Sequence, residues 1–257
     1  MKQRYFIELS YRGTHFHGWQ IQPNANSVQE TLEKGLSIIC RETITVTGSG
    51  RTDTGVHAAY YVAHFDSTHD DLDKPDFTHK LNSFFSSEIA VFAVIKVAFE
   101  THARFDAVSR TYHYYIHQQK DPFLQDTSWF FPKRLNVENM NNAARLLTGQ
   151  HDFTSFSKLH TDVKTNICIV HEAFFTQNDH QLIFKIAANR FLRNMVRSIV
   201  GTLVDIGLGK LSPEDVGLIM ESLDRSKAGV SVPAHGLFLT DVSYPNIQKH
   251  GVIPSQS

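Results

Sequence analysis

What this chain has little of narrows its chemistry first. Only two cysteines occur in 257 residues, Cys40 and Cys168. They are too few and too far apart for a disulfide framework, and each sits among apolar neighbours, as core thiols of a reducing compartment do. No apolar run approaches membrane-spanning length, and the stretch Met1 to Leu9 has no signal-peptide core, so a soluble, cytoplasmic protein with no membrane partner is expected. Neither sign of charge is in excess: 25 Lys and Arg face 26 Asp and Glu. Composition therefore offers no evidence of a polyanion partner, and any basic surface must come from arrangement. Histidine is plentiful, with fifteen in all, yet neither H-E-x-x-H nor paired Cys-x-x-Cys spacing occurs, and His15-x-His17 specifies little by itself. No metal is expected. A chain of this length buries a substantial core as one large domain or two small ones.

What is present centres on Gly48-Ser-Gly-Arg51-Thr-Asp53-Thr-Gly55-Val-His57-Ala58. The run Thr43 to Thr47 before it alternates like a half-buried strand, and Tyr60 to Phe65 after it reads as another. Gly50 and Gly55 have Walker spacing, but Val56 and His57 stand where that loop needs Lys and a hydroxyl. A dinucleotide fingerprint from Gly48 would need glycine where Asp53 stands, and a carboxylate there repels pyrophosphate. What remains is an Asp two residues after an Arg on a pliable loop. That suits a carboxylate acting as nucleophile or base with a cation near, or a tight strand connection whose Asp bonds its own backbone.

Elsewhere the pattern is α+β. Arg4 to Tyr11 alternates as a strand. Tyr11 to Gln22 mixes glycine, aromatic and amide side chains, either as an RNA-gripping loop or as a compact one with Phe16 and Trp19 in the core. Ser27-Val-Gln-Glu30 fits a capping box, and Val28, Leu32, Leu36 and Ile39 follow at helical spacing. A short helix near Phe77 to Phe85 leads to Ile89 to Val97 and Asp106 to Ile116, which read as neighbouring strands joined near Glu100 to Arg104. In the second, Arg110, Tyr112 and Tyr114 share a face against Thr111, His113 and Tyr115. Lys120 to Asn136 reads as a linker, and Asn136 as the cap of a helix to Leu147. After His151 to Lys158, with Phe153 and Phe156 in the core and hydroxyls outward, come strands Ile167 to Thr176 and Leu182 to Ala188. Arg190 to Ile206 predicts an amphipathic helix, with Leu192, Met195, Val196, Ile199, Leu203 and Ile206 on one stripe. Arg190, Arg193 and Arg197 line the opposite face as a local cationic strip, where Arg190 and Arg193 are candidate phosphate contacts. Ser212-Pro caps a last helix.

Several of these stretches together resemble one family over nearly the whole chain. Tyr11-x-Gly-x-x-Phe-x-Gly-Trp-Gln-x-Gln22, Gly50-Arg-Thr-Asp-x-Gly-Val-His-Ala58, Arg110-x-Tyr-x-Tyr114, His151-Asp-Phe-Thr-Ser-Phe156, Met195-Val-Arg-x-x-Val-Gly201 and Val232-Pro-Ala-His-Gly-Leu-Phe-Leu239 are similar to the signatures of the tRNA pseudouridine synthase A family. The resemblance implies isomerisation of uridine to pseudouridine at positions 38, 39 and 40 of the tRNA anticodon stem-loop, without cofactor or metal. It implies Asp53 as nucleophile or base, Arg197 as its ion-pair partner and Arg51 in the gap left by the flipped base. Tyr112 would pack against that base. Leu237, with Leu239, is placed at the wall of the uracil pocket, or simply in the core. The fold implied is α+β: two similar halves around a mostly antiparallel mixed β-sheet with helices on one face, and an active-site cleft between the halves. Residues 1–118 form the half with the Asp loop, 119–136 a linker, 137–247 the half with the Arg-bearing helix, and 248–257 a tail. Partners implied are tRNA and a second copy in a homodimer. Thr54, next to Asp53, and Phe84-Phe-Ser-Ser-Glu88 depart from the family pattern without touching the proposed chemistry; they bear on loop packing and on the choice of uridines. Two other readings are a non-catalytic tRNA-binding or remodelling protein of the same fold, and a metalloenzyme in which His15, His17, His57 or His64 converge.

Overall fold

The computed structural model describes residues 1–158, 165–178 and 180–250. In chain order its main elements are β1 (Gln3–Tyr11), α1 (Val28–Cys40), β2 (Val46–Gly48), β3 (His57–Ser67), α2 (Pro75–Phe84), β4 (Ile89–Val97), β5 (Ser109–His117), β6 (Trp129–Phe130), α3 (Val137–Arg145), β7 (Gly149–Asp152), β8 (Ile167–Asn178), β9 (Gln181–Ala188), α4 (Met195–Gly207), α5 (Asp215–Ser222) and β10 (Leu237–Ser243). They form two compact units: Met1–Val108 with the chain from Leu239 onward, and Ser109–Phe238. The boundaries fall at the start of β5 and inside β10, whereas the sequence suggests a join at 119–136. That segment carries β6, which pairs in parallel with β5, so it is part of the second unit's sheet.

In the first unit the strand order is β4-β1-β3-β10, with β2 on β3. β1 lies antiparallel to both β3 and β4. Residues Tyr5 to Leu9 are all buried, so here period-two alternation separates two covered faces rather than core from water. α1 starts where Ser27 predicts: its hydroxyl accepts a hydrogen bond from the Glu30 N–H at 3.2 Å. Val28, Leu32 and Leu36 are fully buried, each contributing about 1.5–3 kcal/mol by leaving water. β2 is shorter than the alternation predicts, because Ile44 N–H is taken by the Ser37 hydroxyl at 2.9 Å and not by a strand. The expectation that β4 and β5 are neighbours fails: β4 runs along β1 and β5 along β9.

In the second unit the order is β5-β9-β8-β7, antiparallel throughout, with β6 as the parallel addition. The chain is thus α+β with a mostly antiparallel, mixed sheet arrangement. Asn136 caps α3, accepting from Asn139 N–H at 3.0 Å. Phe153 and Phe156 are core residues as expected, but Ser155 is buried too; its hydroxyl donates to Ile219 O at 2.6 Å, so not all hydroxyls of that motif face outward. α5 begins at Asp215, two residues later than Ser212-Pro suggests.

The clearest correction concerns α4. The helix begins at Met195, not Arg190, because Asn194 takes a left-handed conformation with φ 66°, which a right-handed helix does not pass through. Arg190 and Arg193 therefore lie before the helix and do not form a strip with Arg197. Nor is α4 amphipathic in place: of its thirteen residues, only Arg197 and Asp205 are not buried. The side bearing Gly201 is covered by residues 228–232. A Cβ at Gly201 would stand 1.9 Å from Val230 O, so the approach of that segment requires glycine. Both cysteines are buried and unbridged, as expected, with burial raising each thiol pKa to about 11. Among the described residues no helix is long and apolar enough to cross a membrane.

Candidate active site

Asp53 lies on the loop between β2 and β3, half-buried, beside an exposed Arg51 and a buried Thr52. The glycine-rich stretch after β1 holds this loop, backbone to backbone. Trp19 N–H donates to Thr52 O at 3.2 Å and Gly55 N–H to Phe16 O at 3.4 Å. Gly13 N–H donates to His57 Nδ1 at 3.0 Å, and the hydroxyls of Tyr11 and Thr52 share a hydrogen bond at 2.8 Å. A Cβ at Gly13 would sit 2.0 Å from Val56 O, and one at Gly18, where φ is 88°, 2.4 Å from Thr52 O. Both positions thus let the Asp loop come closer than any side chain permits. Behind it Trp19 stacks on Tyr61 with centroids 4.1 Å apart, and the Tyr61 hydroxyl donates to Gly50 O at 2.5 Å. Phe16 and Trp19 are buried. The stretch Tyr11 to Gln22 is therefore a compact frame of the Asp loop, with Phe16 and Trp19 in the core as the compact reading expects. The loop backbone is over-determined while its carboxylate remains reachable.

Next to this loop is a cavity of about 160 Å³ lined by Trp19, Gln20, Gln29, Thr47, Gly48, Gly50, Arg51 and Arg104, among others. Arg104 was missed by sequence reasoning, which took Glu100 to Arg104 only as a connection. No local pattern marks it; its place depends on how that connection folds back.

The second unit carries the other expected site residues. Tyr112, on β5, is half-buried and meets Phe191 edge-on, with centroids 5.1 Å apart at 87°. Tyr114, two residues on, is fully buried, and its hydroxyl donates to Pro233 O at 2.8 Å. Burial pushes this phenol well above its usual range, against the opposing pull of the Arg197 charge. Arg197, in the first turn of α4, is fastened to residue 232 in both directions: its Nε donates to Val232 O at 2.7 Å, and Val232 N–H donates to Arg197 O at 3.2 Å. His235 is pushed to lower pKa, first by burial and also by Arg197, against Asp126 and the Ser128 backbone. Arg197 is thus near enough to both the Tyr114 phenol and the His235 imidazole for its charge to act on each. Leu237, at the head of β10, is buried. Arg193 is exposed and its carbonyl accepts Lys158 N–H at 3.0 Å; Arg190 lies near enough to Cys168 to oppose the rise of its thiol pKa. The structure brings Tyr114, Arg197, Pro233 and His235 together in this unit, and leaves Arg190 and Arg193 off the helix that carries Arg197.

The histidines named for a metal have separate occupations. His15 pairs with Glu88, His17 with Asn26 Oδ1 at 2.8 Å, His57 with Gly13 N–H, and His64 with Ala103 N–H at 3.1 Å. Among the described residues no group of three or more metal-ligating side chains occurs.

A sequence model of one family, described as tRNA pseudouridine synthase, matches residues 9–106 and 143–245. This chain belongs to the tRNA pseudouridine synthase family. The pseudouridine synthase signatures named above lie in both matched spans, Asp53 in the first and Arg197 in the second, whereas Tyr112 falls between them. Similar proteins include tRNA pseudouridine synthase A of Bacteroides fragilis, 52% identical over 244 residues, which are 95% of this chain and 97% of that protein. The enzyme of the same name from Parabacteroides distasonis is 50% identical, over 95% of this chain and 96% of its own length. That of Bacillus subtilis is 41% identical, over 93% and 98%. Pseudouridine synthases are isomerases, and the chain is of that enzyme class.

Proposed function

We propose that this chain isomerises uridine to pseudouridine at positions 38, 39 and 40 of tRNA anticodon stem-loops, with Asp53 as nucleophile or base. The reaction breaks the glycosidic C–N bond, turns the uracil and rejoins it through carbon. Every atom and electron of the substrate is kept, so the chemistry asks for no cofactor. In this reading Arg197 is the ion-pair partner that orients the Asp53 oxygens, Tyr112 stacks on the extruded uracil, and Arg51 fills the gap and holds nearby phosphate. Arg190 and Arg193 are phosphate contacts independent of the Arg197 helix. Leu237 belongs to the pocket wall. The enzyme works in the cytoplasm as a homodimer holding one tRNA across both copies.

The observation that carries this reading is the hold on the Asp53 loop. Glycine contacts at Gly13 and Gly18 and the Tyr11–Thr52 bond fix the backbone on both sides of a carboxylate that stays half-exposed. A purely structural Asp has no need of a frame that leaves it open to solvent; a reacting carboxylate needs its position set before substrate arrives. The test is incubation with unmodified tRNA followed by chemical mapping of pseudouridine. Wild type is expected to modify positions 38–40, and Asp53→Asn to lose roughly a thousand-fold or more of the rate while still binding tRNA. Wild type that binds tRNA and forms no pseudouridine would instead establish the non-catalytic binding protein.

A further inference from the structure

The connection between β4 and the end of the first unit's opening segment is built with unusual care for a linker. Ala103, at its centre, is fully buried. Its N–H donates to His64 Nδ1 at 3.1 Å and its carbonyl accepts the Tyr244 hydroxyl at 2.5 Å. Thr101 O accepts from Arg4 Nη1 at 3.2 Å. His102 N–H donates to Asp106 Oδ2 at 2.8 Å, and His102 Nδ1 accepts from both Arg104 N–H and Phe105 N–H, at 3.1 and 3.3 Å. These bonds fix the backbone of the connection around the buried Ala103. What they leave outward are the side chains of Arg104 and Phe105.

Phe105 is 74% exposed, yet its ring is steadied by the His102 ring, 4.3 Å away. An ordered aromatic face left open to water is a standing cost of burial not achieved. Arg104 reaches the cavity beside the Asp53 loop, where Arg51 and Gln20 also line the wall. Gln29 there is wall only, since its amide already serves Ile21, Glu33 and Val46. At about 160 Å³, the space is many times the ~10–15 Å³ that one water needs by the same measure, so it has room for a phosphodiester. In a chain whose net charge is −1, two guanidinium groups at one such cavity are a local departure that favours an anion. Phe105 does not line the cavity, but its ring centroid lies 5.8 Å from Arg104 Cζ, which does; a ring and an anion-favouring cavity linked through one guanidinium match the two halves of a nucleotide.

We propose that Arg104 and Phe105, with Arg51 and Gln20, form a subsite for one unpaired nucleotide of the RNA substrate, its phosphodiester in the cavity and its base stacked on Phe105. The proposal rests on the reading of tRNA as substrate. It is tested by measuring the affinity for unmodified tRNA across a salt series, and pseudouridine yield, for wild type, Arg104→Gln, Phe105→Ala, Phe105→Trp and Gly50→Leu. Arg104→Gln is expected to weaken binding roughly ten-fold and to reduce the slope of log affinity against log salt by about 1. Phe105→Ala weakens it roughly ten-fold with the slope unchanged, and Phe105→Trp restores it. A Cβ at Gly50, which lines the cavity, meets nothing within 4 Å, so Gly50→Leu adds bulk at the cavity wall without a Cβ clash and, at unchanged Tm, is expected to bind as poorly as Arg104→Gln. Wild-type affinity and slope in Arg104→Gln and Phe105→Ala, at unchanged Tm, would overturn the subsite, as would failure of Phe105→Trp to restore binding. If wild type binds tRNA with these differences but forms no pseudouridine, the functional reading fails and the subsite stands.

Discussion

The loop of Asp53 and the helix of Arg197 both depend on glycine letting another backbone come close, but at the loop the glycines sit on the neighbouring stretch, whereas at the helix Gly201 meets Val230 O and Gly229 of the covering segment meets Thr202 N. In the first unit Gly13 and Gly18 belong to the neighbouring stretch, and the loop they admit keeps its carboxylate half-exposed. In the second, Gly201 belongs to α4 itself, and the segment it admits, 228–232, completes the burial of the helix. The first arrangement positions a group without covering it. The second covers a helix so thoroughly that one charged side chain near its start, tied to Val232, is held at a defined angle. Precision in the loop comes from hydrogen bonds and contact distance, and precision in the helix from packing.

The largest expected effects break each hold in turn. Gly18→Ala must relieve a Cβ 2.4 Å from Thr52 O at a φ of 88°, and is expected to cost about 3 kcal/mol of stability. Turnover measured well below its Tm should also fall roughly a hundred-fold, because the loop itself must move. Gly201→Ala faces a contact of 1.9 Å with Val230 O and is expected to cost a similar ~3 kcal/mol, but with most of the activity lost through unfolding. Urea denaturation alongside single-turnover pseudouridine assays separates the two; equal loss of turnover per folded molecule in both would erase the contrast. A smaller effect comes from pH. His64 is buried and held neutral, its pKa lowered from 6.5 to about 4 by burial first, then by the Arg4 and His102 charges, against Asp66 and Asp106. The unfolded chain takes up this proton more readily, so the contribution of His64 is complete above pH ~6.5 and is lost as pH falls from there towards 4. Urea midpoints at pH 7 and pH 4.5 should show the fall, and His64→Gln should flatten it. The smallest effect is a gain: Gly217, inside α5, has nothing within 4 Å of a built Cβ. Gly217→Ala should stabilise by about 0.5–1 kcal/mol, readable as a rise in Tm with activity unchanged.

Much of the secondary structure was legible where the signal is local. Ser27 as a cap, the α1 stripe, Ile89–Val97 as a strand and Asn136 as the cap of α3 all depend on neighbours within one or two turns. The failures have a common cause. The apolar stripe from Leu192 to Ile206 continues the helical period back past Asn194, so periodicity sees no break; only the left-handed φ at Asn194 ends it. The pairing of β4 with β5 was inferred from adjacency in the chain, and adjacency carries no information about which edge a strand joins. The loop of Arg104 looked like a connection because its structure is made by His64 and Tyr244, which lie 39 and 141 residues from Ala103.

Short runs of sequence by themselves carried the resemblance to the family, because no distant contact can alter them, and the roles proposed for Asp53, Arg197 and Tyr112 follow from that resemblance. The tertiary structure alone decided that Tyr11 to Gln22 frames the Asp loop, that α4 is covered on nearly every side, and that Arg104 stands beside Arg51. Each of these depends on two segments meeting across many residues of chain, and the close approach of backbones at Gly13, Gly18 and Gly201 becomes visible only when the partner's carbonyl has a position.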